Sequence, residues 1–164
     1  MRLDFAVFVP LLISLMSACG TRPSEAPAPV VPIAVSPEVR APLALEQIRL
    51  AELFRGTPVA FTLQQDGSLR ATVPRQFSFD VGAIKVKPPL AAVLDRLAKG
   101  QLQAGSRMRV SAPADPDTRS PSLARERALS VRDYLAGRGI AATRLQVSGA
   151  AQTERVEIVV SDAR

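Results

Sequence analysis

Apolar positions recur along the chain with two periods. From Pro88 they fall at Leu90, Val93, Leu94, Leu97 and Ala98, the i, i+3, i+4, i+7, i+8 spacing of a helix with one buried face, and the prolines at 88 and 89 suit its first turn. Ser120-Pro121 supplies the N-cap and first-turn proline of a second helix, expected to run to Ala136 and to end at Gly137 or Gly139. Alternation marks strands at residues 107–112, 144–148 and 155–160, the last with Val156, Ile158 and Val160 on one face. Residues 58–63 and 68–73 flank Gln64-Gln65-Asp66-Gly67, the signature of a hairpin. Residues 45–54 predict a short helix with Leu45, Ile48, Leu50 and Leu53 as its apolar positions, and residues 77–80 (FSFD) a short strand leading into a loop. The order is a β-hairpin followed by βαβαββ. It predicts an α/β chain of the α+β sandwich kind, one sheet with helices packed on one face.

The N-terminus has a different character. Residues 5–18 are almost wholly apolar but number 14 and contain Pro10, whereas a bilayer span needs about 18 or more. Behind Arg2, this run reads as a secretory signal peptide over residues 1–18. Met16-Ser17-Ala18-Cys19 resembles the bacterial lipobox, which implies that Cys19 carries a lipid anchor; Gly20 behind it, rather than Asp, favours the outer membrane. Residues 20–43 hold six prolines without periodicity. They predict an extended tether, with a reach of roughly 75 Å at about 3.1 Å per residue. The remaining residues, 44–162, suit one domain: a short helix and hairpin over 44–76, then the main α/β part over 77–162.

Composition narrows the chemistry. The 164 residues include no His and a single Cys, which removes Ser-His-Asp and Cys-His triads, His-ligated metal sites, zinc clusters and internal disulfides. Asp80, Asp115, Asp117 and Glu126 remain, but no two of them occupy environments that would separate their pKa values for acid–base work. No catalytic residue, cofactor or metal is expected, and the chain does not read as an enzyme. Its net charge is +6, from 21 Lys+Arg against 15 Asp+Glu. The cations are mostly scattered Arg and aromatics make up 4%, a poor match to nucleic-acid binding; an anionic wall or lipid surface suits the charge better.

One position breaks the pattern. On the second helix the apolar arc spans about 140°, from Leu123 through Tyr134, Val131, Ala124 and Leu135 to Ala128, and Arg127 falls inside it at about 40°. An unpaired buried charge costs several kcal/mol, so Arg127 must reach the rim or find a carboxylate. Asp115 is the candidate, on the loop between the strand at 107–112 and this helix. Two readings stay open. The pair can form a dipolar pocket for a ligand carrying both an amine and a carboxylate, or Asp115 can be a turn former beside Pro116 that Arg127 merely closes.

The segment from Phe77-Ser78-Phe79-Asp80, through Ala112-Pro113-Ala114-Asp115 and Leu123-Ala124-Arg125-Glu126-Arg127-Ala128-Leu129-Ser130-Val131, to Thr153-Glu154-Arg155-Val156-Glu157 resembles the OmpA-like C-terminal domain. That family's landmarks are F-x-x-D, G-[HY]-T-D, L-S-x-x-R-A-x-x-V and N-R-R-V-E. The resemblance implies binding of peptidoglycan through the diaminopimelate of its stem peptide, with Asp115 taking the amine and Arg127 the carboxylate. Asp80 and Arg155 stand at two further landmarks and are lesser candidates. Here G-[HY]-T has become Ala112-Pro113-Ala114, N-R-R has become Thr153-Glu154-Arg155, and the loop at 149–152 is short. The expectation is a lipoprotein of the outer membrane's periplasmic face, held by its lipid and gripping peptidoglycan non-covalently. The alternative is a degenerate domain that scaffolds another envelope protein.

Overall fold

The computed structural model describes residues 37–162 apart from 103, 118, 119, 150, 152 and 153. The expected signal peptide, Cys19 and most of the tether lie outside the described residues.

The hairpin forms where the turn chemistry placed it. Asp66 Oδ1 accepts from the Ser68 amide at 2.9 Å, and Gly67 takes φ 82°, a left-handed conformation open to glycine at little cost. The turn joins β1 (Ala60–Leu63) to β2 (Leu69–Pro74). Then come α2 (Arg75–Ser78), α3 (Pro88–Gln101), β3 (Arg107–Ser111), α4 (Pro121–Gly137), a 3-10 turn (Ala142–Arg144), β4 (Leu145–Val147) and β5 (Arg155–Ser161). All five strands belong to one sheet in the order β1-β2-β5-β3-β4, with β3 and β4 parallel and the other pairs antiparallel.

Register explains the core. Leu63, Leu69, Val160, Met108 and Leu145 stand in one cross-strand row, and Phe61, Ala71, Ile158, Val110 and Val147 in the next. Both rows belong to the buried cluster or pack against it. Against this face lie Leu90, Val93, Leu94, Leu97 and Ala98 of α3, all buried as the periodicity predicts, and Ala128, Val131 and Leu135 of α4. The Ser120 hydroxyl caps α4 by accepting from the Leu123 amide. The other face carries exposed Arg107, Arg109, Gln146 and Arg155.

Three expectations need correction. Residues 77–80 are not a strand: β2 runs on to Pro74 and the chain then coils into α2. The Ser78 hydroxyl donates to the Pro74 carbonyl at 3.0 Å and the Phe79 amide to the Arg75 carbonyl at 2.9 Å, so these groups are satisfied locally and do not seek a ladder. β2 is therefore the sheet's first long strand, and the hairpin lies inside the sheet, not ahead of it. The third correction concerns α1, which spans Pro37–Leu53 and takes in the last seven residues assigned to the tether, with Pro42 inside it. Leu43 and Leu50 are buried and Gln47 Nε2 donates to the Phe61 carbonyl, tertiary contacts that offset the amide Pro42 lacks. The apolar stripe read from the sequence is mostly outside: Leu45, Ile48 and Leu53 are more than half exposed.

Candidate functional site

Arg127 is fully buried, and its guanidinium is held from several sides. Nε donates to the Ala83 carbonyl at 2.9 Å, Nη1 to Pro113 at 3.0 Å and Nη2 to Asp80 at 3.0 Å, while Nη2 also meets Asp115 Oδ1 at 2.8 Å. The group stacks over the Phe79 ring, 5.1 Å from its centroid. α4 supplies the arginine, the stretch after α2 supplies Asp80 and Ala83, and the loop after β3 supplies Pro113 and Asp115. Side chain and backbone together satisfy a cation that burial would otherwise penalise.

Asp115 is as confined, at 3% exposure. Its Oδ2 accepts from the Gly82 amide at 2.7 Å, and Oδ1 accepts from Arg127 and, at 3.3 Å, from Arg75 Nη1. Burial works to raise the carboxyl's pKa. The Gly82 amide, the Arg127 hydrogen bond and charge, and the charge of Arg75 together outweigh it, so the pKa lies below its ordinary value and the group is ionised at neutral pH.

The structure thus brings Asp115 and Arg127 together but leaves no gap between them. Four of the five N–H bonds of Arg127 are engaged within the protein, and no exposed edge remains for bidentate contact with a ligand. The other two candidates do not join the pair through their side chains. Asp80 contributes its carbonyl; its carboxylate faces solvent and bonds Lys87 Nζ at 2.8 Å. Arg155 opens β5 opposite Pro74, one residue out of phase with buried Val156, so the period-two alternation turns it to the open face of the sheet.

Sequence reasoning missed Arg75. This residue is 21% exposed at the corner between β2 and α2 and lies next to Asp115, with its Nε 3.9 Å from Glu154 Oε2. It follows Pro74 with no periodic signal, and its approach to Asp115, 40 residues on, comes from tertiary structure. A separate groove of about 350 Å³ runs between α1 and α3, lined in part by Glu46, Arg49, Leu50, Arg96 and Lys99. It shares no lining residue with the Asp115 cluster. Among the described residues no group of three or more Asp, Glu, Cys or His side chains could hold a metal ion, and no helix is long and apolar enough to cross a membrane.

No protein-family model and no curated protein matches the chain. Solved structures do. A MotB-like protein from Desulfovibrio vulgaris superposes with a TM-score of 0.58 at 17% identity, covering 77% of this chain and 95% of that one. The cell wall anchor of the T6SS from Pseudomonas aeruginosa gives 0.54 at 22% identity, over 74% of this chain and 97% of that one. The periplasmic domain of Helicobacter pylori MotB gives 0.52 at 18% identity, over 67% and 83%. At such identities the likeness establishes a shared architecture.

Proposed function

Because the globular unit has the OmpA-C-like fold, we propose that it is a non-enzymatic module that binds peptidoglycan, with its ligand centre at the Asp115–Arg127 pair. In the full chain, a lipid on Cys19 and the proline-rich tether hold it at the periplasmic face of the outer membrane. The observation that carries the reading is the placement of the pair. An ionised carboxylate and a guanidinium meet at the corner between β3 and α4, in a fold shared with a protein that is itself a cell wall anchor. The Asp115 carboxylate suits the ammonium of diaminopimelate, and the guanidinium beneath it keeps that carboxylate ionised and aimed.

The test is co-sedimentation of the full chain with purified sacculi. Wild type is retained, whereas Asp115→Ala and Arg127→Ala are lost from the pellet, and melting curves on the same samples separate loss of binding from loss of fold. One observation favours a second reading, that the domain scaffolds another envelope protein: without ligand, the two groups already clasp each other. Wild-type protein left in the supernatant would decide for the scaffold.

A further inference from the structure

Within the wall-binding reading, on which this inference rests, the ligand's carboxylate needs a cation, and Arg127 has no exposed edge to offer. Arg75 has one. Its Nε is shielded from solvent and has no hydrogen-bond partner among the described residues, although the side chain as a whole is 21% exposed. Its neighbours are weakly held: Nη1 reaches Asp115 at 3.3 Å, and Glu154, at 3.9 Å from Nε, is itself 66% exposed. Arg127, by contrast, sits 2.8 Å from Asp115 at 0% exposure and is anchored by three carbonyls. Of the two cations on Asp115, one is built in and the other can be exchanged.

We infer that Arg75 is the ligand-contacting arginine of this domain, and that the zwitterionic end of diaminopimelate inserts between Arg75 and Asp115. The ammonium takes the position that Arg75 Nη1 holds on Asp115 Oδ1. The carboxylate takes the Arg75 guanidinium and displaces Glu154. Charge balance is preserved, because one cation leaves the carboxylate as another arrives and Arg75 exchanges one anion for another. Arg127 is then a positioning residue that fixes Asp115 from below.

The experiment uses the full chain with two probes: diaminopimelate-type sacculi, and the same sacculi with the free diaminopimelate carboxylate amidated. On the unmodified wall, Arg75→Gln binds about tenfold more weakly than wild type, the loss of one charge-assisted contact. Glu154→Gln binds a few-fold more tightly, since it removes the competing anion. On the amidated wall, wild type and Arg75→Gln bind alike. Melting temperatures close to wild type for both variants show that the fold is intact. If wild type is retained and Arg75→Gln binds within twofold of it on the unmodified wall, or if the tenfold difference persists after amidation, the assignment of Arg75 is overturned while wall binding stands. If wild type binds neither probe, wall binding falls and this inference falls with it.

Discussion

Replacing both members of the buried pair at once, as Arg127→Met with Asp115→Leu, distinguishes an ordinary ion pair from the arrangement seen here. A buried pair exchanged for apolar residues of similar volume is often neutral in stability, or more stable by about 1–4 kcal/mol, because two desolvation penalties vanish together. Arg127, however, also satisfies the carbonyls of Asp80, Ala83 and Pro113, and Asp115 also accepts from the Gly82 amide. The double replacement leaves three of those backbone groups without a partner, since the Asp80 carbonyl still accepts from the Ala83 amide at 3.1 Å. At about 1–3 kcal/mol each, the three orphaned groups cost about 3–9 kcal/mol, which outweighs that gain. Arg127→Ala alone is worse, since it breaks the buried pair at about 3–5 kcal/mol, leaving Asp115 only the partly exposed Arg75 as a cation, and opens a void against Phe79. The double variant is therefore expected to be destabilised by about 3 kcal/mol and the single by about 5, a large share of an ordinary domain's 5–15 kcal/mol. Urea unfolding followed by circular dichroism gives both numbers. A double variant as stable as wild type would refute the claim that Arg127 serves chiefly as a clamp on backbone carbonyls.

Other consequences are simpler. The depressed pKa of Asp115 contributes stability that is complete above the ordinary carboxyl value of 3.8 and is lost as pH falls below it through the folded-state value; Asp115→Asn should flatten that part of an acid stability profile. Ser120→Ala removes the α4 cap, whose contact is a long 3.4 Å, and should cost about 0.5–1 kcal/mol by urea melting. On α1, Leu50→Ala at 2% exposure should cost about 2–5 kcal/mol, while Ile48→Ala at 63% should stay within about 0.5; equal losses from the two would show that the helix buries a different face.

Local patterning determined a good part of this protein. α3 and α4 and their inward faces, the hairpin turn at Asp66-Gly67, and the inner row of β5 all follow from apolar spacing and turn residues within a few positions of one another. The same spacing located Arg127 inside an apolar arc, and the penalty for stranding it there required an acidic partner, which Asp115 supplies. Tertiary structure decided everything that joins distant segments. Three carbonyls from two loops take up most of the arginine's hydrogen bonds, and the two charges meet at 2.8 Å, which favours the closed one of the two readings left open by the sequence. Arg75 reaches Asp115 across 40 positions, and residues 77–80 coil because β2 has already filled the place beside β5. α1 shows the limit most plainly. Its sequence is apolar around much of its circumference, so only the elements it meets determine that Leu43 and Leu50 turn inward and Leu45 and Ile48 outward. Periodicity encodes a face when polar residues mark the other side. It carries nothing about backbone carbonyls, which every residue possesses, nor about which loop will pass within 3 Å of a buried charge.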